Sequence, residues 1–152
     1  MTTVLAVLFA LLAAGTPHLT MATSASPTAA APPRPGSTIK LFVDVIPDPK
    51  VHVYAPGAKD YLPIALEITP AAGATIGKLA YPKAQDLYFE PLKEHVPVFS
   101  VPFRLVQDVT IGRAVKPGQS LTLTGVLKYQ ACDDTTCFNP VSAPVSWTVA
   151  VK

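Results

Sequence analysis

The sequence predicts an all-β, immunoglobulin-like antiparallel β-sandwich, and three observations carry that prediction. Apolar residues alternate with period two in several stretches, turn-forming residues interrupt them roughly every eight to twelve positions, and no stretch beyond the N-terminal leader holds a helical period for about three turns. Seven to nine short strands in about 120 residues suit two packed antiparallel sheets. The composition agrees: 152 residues with 49% hydrophobic and 14% charged side chains can fill the core of one domain and are too apolar for disorder. Twelve basic and ten acidic residues leave a formal charge of +2, too balanced for nucleic acid or an anionic membrane as the main partner.

The chain opens with an apolar run, Val4 to Ala14, too short to span a bilayer and suited to the h-region of a signal peptide. Small residues follow at Ala22-Thr23-Ser24-Ala25-Ser26, offering cleavage after Ala22 or Ala25, so residues 1–25 are assigned to a signal peptide. The n-region, Met1-Thr2-Thr3, lacks Lys and Arg, and a buried helix is the competing reading. Residues 26–37, rich in Pro, Ala, Ser and Thr, read as a flexible leader, and 38–152 as the domain. Export implies an oxidising compartment in which a disulfide persists, periplasmic or otherwise exported, and the mature chain carries no membrane span.

Within the domain, Ile39, Leu41, Val43 and Val45 mark one strand face, ended by the turn Pro47-Asp48-Pro49-Lys50. Val51–Tyr54 and Leu62–Thr69 follow, each closed by Pro and Gly, then Thr75–Tyr81 less regularly. Val96–Val106 is β-rich, but Pro97 and Pro102 demand an edge strand or a break. Val109–Val115 is a further candidate, ended by Lys116-Pro117-Gly118-Gln119. Leu121, Leu123, Leu127, Tyr129 and Ala131, with Gly125 between them, share a face of the penultimate strand; Val145, Trp147, Val149 and Val151 share a face of the last.

Chemistry concentrates in the connection between those two strands, Tyr129-Gln130-Ala131-Cys132-Asp133-Asp134-Thr135-Thr136-Cys137-Phe138-Asn139-Pro140. Asp133, Asp134 and Thr135 are turn formers, and four intervening residues let the two cysteines fold back to bonding distance. One reading is a staple: closing so short a loop stabilises by only about 2 kcal/mol. The other is a redox pair open to another protein. No metal site is expected, because processing leaves only His52 and His95 beside this single cysteine pair. Asp133 and Asp134 disfavour a thiolate nearby, and the nearest cation in sequence is Lys128, so a free Cys137 thiol should be sluggish until a partner docks.

The run Val126 to Pro140, with Tyr129-Gln130-Ala131-Cys132-Asp133-Asp134, Cys137 and Pro140, resembles the amino-terminal periplasmic domain of the DsbD family of thiol:disulfide interchange proteins. The likeness extends more weakly to His52-Val53-Tyr54-Ala55 and Tyr81-Pro82-Lys83, covering about Ser37 to Lys152. The resemblance implies a sandwich with a Cys132–Cys137 disulfide at one end, protein-disulfide reductase activity, and no cofactor. Cys137 would form the mixed disulfide with a partner and Cys132 would resolve it. It further implies a cap loop, placed at Asp86, Leu87, Tyr88, Phe89 and Glu90, although Tyr88 and Phe89 read equally well as core. His52, Tyr54, Tyr129, Asp133 and Asp134 become candidate neighbours of the sulfurs, His52 and Tyr54 reading equally as ordinary packing. Implied partners are thioredoxin-like proteins, disulfide isomerases and proteins of cytochrome c maturation. Family members continue into transmembrane helices and a thioredoxin-like domain, so the expected electron donor is a membrane protein on a separate chain. The alternative is a non-enzymatic exported binding module with a structural disulfide.

Overall fold

Period-two patterning dominates the structure. The computed structural model describes residues 16–27 and 31–152, and every regular element in them is a β-strand. The apolar run at 4–14 lies outside the described residues. Eleven strands occur in order: β1 (Leu19–Ser26), β2 (Thr38–Pro47), β3 (His52–Tyr54), β4 (Ala65–Ile68), β5 (Ala74–Ala80), β6 (Gln85–Phe89), β7 (Glu94–Phe99), β8 (Phe103–Ile111), β9 (Ser120–Tyr129), β10 (Ala131–Cys132) and β11 (Val141–Ala150). They pair antiparallel in three sheets, β1-β2-β8-β5, β11-β9-β4 and β10-β3-β7-β6. Among the described residues no helix is long and apolar enough to cross a membrane.

The first two sheets face each other over the main core. β2 supplies Ile39, Leu41, Val43 and Val45, β8 supplies Leu105, Val109 and Ile111, β9 supplies Leu123 and Leu127, and β11 supplies Val145, Trp147 and Val149. Each set falls on alternate positions of its strand, with Gln107 and Gly125 at the positions skipped in β8 and β9, as one buried sheet face requires. Trp147 joins the layers, its indole N–H donating to the Phe42 carbonyl at 3.1 Å. Gly125 interrupts the β9 face because β4 crosses there: a Cβ would lie 2.5 Å from the Glu67 carbonyl oxygen.

Pro102 separates β7 from β8, the break expected from sequence. Pro97 sits inside β7, between β3 and β6. Its carbonyl accepts from Ala55 N at 2.9 Å, so the ring's missing N–H points to where the chain leaves β3 and breaks no rung of the ladder.

Two segments differ from the sequence reading. Residues 19–26, assigned there to a signal peptide and leader, form β1, paired with β2 from Leu19↔Pro47 to Ser26↔Lys40. Leu19 is buried, and Met21 and Ala25, on the same strand face, pack against the core. The Thr, Ser and Ala residues between them resemble a cleavage region in composition and conceal the alternation. Residues 31–37, read as flexible leader, are tied down: Gly36 N donates to Ile111 O at 2.8 Å and Lys152 N to Pro33 O at 2.8 Å.

Candidate functional site

The third sheet turns one end of the sandwich into a cleft. On β3, Val53 faces the main core, while His52 and Tyr54 point to the opposite side. On β10, Ala131 pairs with Val53 and joins the core, and Cys132 pairs with His52 and joins the cleft side. Cys132, Tyr54, Val96 and Val98 form a small second core on that side. The cleft has a volume of about 330 Å3, and both cysteines line it with His52, Tyr54, Tyr61, Leu87, Tyr88 and Phe89.

Cys132 and Cys137 are joined by a disulfide, S–S 2.09 Å, with Cα atoms 4.1 Å apart. Asp133 N donates to Thr136 O and Phe138 N to Ala131 O, both at 2.9 Å. That pattern makes the cysteines a directly opposed, non-hydrogen-bonded pair of a miniature hairpin, where side chains lie closest. The turn is organised by Asp133, whose Oδ1 accepts from Thr135 N at 2.8 Å, Thr135 Oγ1 at 3.0 Å and Thr136 N at 2.7 Å. The Thr135 amide, then the Thr136 amide, hold its carboxyl below the usual range. The two sulfurs are unequal: Cys132 is 1% exposed and Cys137 lies on the surface.

Aromatic side chains floor the cleft. Tyr54 stacks on Tyr61 with ring centroids 4.2 Å apart and meets His52 edge-on at 5.5 Å. Its hydroxyl, the only possible donor of the two groups, lies 3.6 Å from Cys137 Sγ. Tyr61 donates to the Glu94 carboxylate, a bond that pushes its phenol up to about 12. Burial pushes the Tyr54 phenol up and the His52 imidazole down; the Asp134 and Asp133 charges partly offset the latter.

The segment expected as a cap loop is β6 and the start of its turn, paired with β7 from Gln85↔Val98 to Phe89↔Glu94. Leu87, Tyr88 and Phe89 line the cleft beside the disulfide, with Leu87 packed on the second core. Tyr88 is 46% exposed, so it is not a core residue. Asp86 and Glu90 do not line the cleft; Asp86 bonds His95 Nδ1 at 2.6 Å on the outer surface.

Of the sequence-derived neighbours, His52, Tyr54, Asp133 and Asp134 are brought to the sulfurs, whereas Tyr129 is not. Tyr129 shares a strand face with Leu127, and period two sends it into the main core, where its hydroxyl donates to Pro17 O at 2.7 Å. Lys128 is engaged elsewhere, 2.8 Å from Glu67 of β4. Sequence reasoning missed Tyr61 and Glu94. Tyr61 sits in a turn-rich loop after Ala55-Pro56-Gly57 with no period to mark it, and its partner is 33 residues away. No group of three or more His, Cys, Asp or Glu suited to a metal occurs among the described residues.

The N-terminal strand contributes from behind the cysteine turn. His18 stacks on Phe138, the residue after Cys137, with centroids 3.7 Å apart. Asp48 N donates to the His18 backbone carbonyl at 3.0 Å, tying that residue's backbone to the β2–β3 turn.

No curated protein sequence matches the chain. Among solved structures, the N-terminal periplasmic domain of ScsB from Proteus mirabilis is similar, with TM-score 0.58 at 12% identity, over 93% of this chain and 49% of that one. The chain thus spans about half of that relative, and the likeness bears on fold. The DsbD N-terminal domain of Neisseria meningitidis, in its reduced form, matches with TM-score 0.49 at 17% identity, over 72% of this chain and 77% of that one. A family model described as "Thiol:disulfide interchange protein DsbD, N-terminal" matches residues 18–146, a span that includes β1 and both cysteines. The chain, an immunoglobulin-like β-sandwich with a disulfide at one end, therefore belongs to the family of DsbD N-terminal domains of thiol:disulfide interchange proteins.

Proposed function

We propose that the protein is an exported, periplasmic thiol:disulfide relay in which Cys137 exchanges with partner proteins and Cys132 resolves the mixed disulfide. The observation that carries this reading is the asymmetry of the bridge: Cys137 is an exposed residue, the one a partner's thiolate can approach, while Cys132 is 1% exposed. Attack at Cys137 opens the bridge and leaves the electron pair on Cys132. The reverse sequence closes it, Cys132 displacing the partner from Cys137. The β6–β7 hairpin acts as the cap, with Leu87, Tyr88 and Phe89 beside the sulfurs restricting small thiols until a partner displaces it. The partners are thioredoxin-like proteins, including isomerases and components of cytochrome c maturation, and the electrons come from a membrane protein.

The test is trapping. In the Cys132→Ala chain, Cys137 is expected to accumulate a mixed disulfide with a thioredoxin-like protein, while Cys137→Ala traps none. Equal trapping by both variants, or by neither, overturns the assignment and leaves a stapled binding module.

A further inference from the structure

The unequal burial of the two sulfurs creates a charge problem. When the bridge opens at Cys137, the electron pair stays on Cys132, a sulfur that packs with Tyr54, Val96 and Val98 and is 1% exposed. A bare thiolate there is disfavoured by desolvation. The neighbouring charges make it worse, because Asp133 and Asp134 line the same cleft. No Lys or Arg lines it among the described residues. The one group there that can carry a positive charge is His52, held directly across the β3–β10 ladder from Cys132. Opposed residues on one sheet face have Cβ atoms about 4.5–5.5 Å apart, within reach for an imidazole and a thiol.

We propose that His52 is the proton carrier for Cys132, protonating its sulfur as the bridge opens and withdrawing that proton as the bridge closes. The inference rests on the relay reading above and adds a residue to it. On opening, an incoming thiolate bonds to Cys137 Sγ, the Cys132–Cys137 bond breaks, and Cys132 takes the electron pair together with the proton of a His52 imidazolium. The imidazole is left neutral, the form in which it serves the closing step. On closing, neutral His52 takes the Cys132 proton, the sulfur attacks Cys137 Sγ, and the partner leaves as a thiolate that solvent protonates. Each half-cycle moves one electron pair, and His52, neutral after opening and protonated after closing, returns to its starting form over the two.

The surroundings suit both roles. Burial disfavours the imidazolium and keeps a neutral base available for closing; Asp134 and Asp133, the acids facing His52 from the cysteine turn, support the imidazolium when it forms. Glu94 of β7 acts on Tyr54 and is bonded to Tyr61. Tyr54 is the neighbour on His52's own strand, and its hydroxyl lies against Cys137. The two sulfurs therefore have separate polar partners, Tyr54 for the exposed one and His52 for the buried one.

The two chemical steps can be timed in the full chain with an aromatic disulfide that releases coloured thionitrobenzoate. The reduced chain releases one equivalent as Cys137 attacks and a second as Cys132 closes the bridge. His52→Gln and His52→Tyr are measured beside the wild type, so that a packing defect in one is separable from loss of the imidazole in both. The expected result is an unchanged first release and a second release slowed by about 100-fold near neutral pH. The wild-type second step should level off once His52 is neutral, whereas in both variants it should keep rising towards the thiol's own ionisation near or above about pH 8.5. A folded variant with the wild-type rate and pH profile of the second step overturns the inference and leaves the relay intact. A wild-type chain in which Cys137 releases the first equivalent but no second equivalent follows overturns the relay and the inference with it.

Discussion

At the scale of single residues, two phenols behave alike for different reasons and set an alkaline limit. Burial in the core pushes Tyr129 from 10.0 up to about 12, and the Glu94 bond does the same to Tyr61. The folded state favours the neutral phenol, so the contribution is complete below the unfolded value and is lost as pH rises from 10.0 towards about 12. Unfolding followed by intrinsic fluorescence should show stability falling across that window, and Tyr129→Phe should flatten the fall. The same residue shows where sequence reasoning slips. Tyr129 stands three positions before Cys132, and proximity in sequence suggested proximity in space. Strand geometry sends alternate side chains to opposite faces, so Ala131 follows Tyr129 into the core and Cys132 alone turns to the cleft.

At the scale of elements, legibility followed the strictness of alternation. β2, β9 and β11 carry large apolar residues at every second position and were readable along their length. β6 and β1 were not. In β6 the residues Gln85, Asp86, Leu87, Tyr88 and Phe89 follow no clean apolar period, because one side faces a cleft instead of a core. In β1 the inward positions are filled by Leu19, Met21 and Ala25, too uneven in size to stand out among Thr and Ser. β1 constrains processing. Cleavage after Ala22 or Ala25 would discard strand residues that pair with β2 and a buried Leu19. The small residues Ala13, Ala14 and Gly15 offer an earlier position with the same A-x-small character. Mass spectrometry of the exported protein should find an N-terminus upstream of Leu19; a mature chain starting at Thr23 or Ser26 would refute this.

At the scale of the whole molecule, the sandwich depends on contacts across its two facing sheets, and Trp147 is the largest of them. Trp147→Ala removes the indole from the core and its bond to the Phe42 carbonyl. A loss of about 3–5 kcal/mol is expected from denaturant unfolding. The core was legible because it obeys a local rule repeated along each strand. From the residues themselves the site was legible at the cysteines, which announce themselves in sequence; the resemblance added His52, Tyr54, Asp133, Asp134 and the β6 residues that line the cleft. Tyr61 and the β6 aromatics reach the cleft through tertiary approach alone, and Glu94 reaches Tyr61 across 33 residues, separations with no periodic signature.

The cysteine turn is held three times over. Asp133 knots it from within, the rungs at Asp133 and Phe138 zip it as a hairpin, and the His18 ring buttresses it from behind. The covalent link is therefore a passenger on a scaffold that already has its shape. Severing it leaves those hydrogen bonds and the ring contact untouched, so nothing in the turn itself has to be rebuilt for the two sulfurs to meet again.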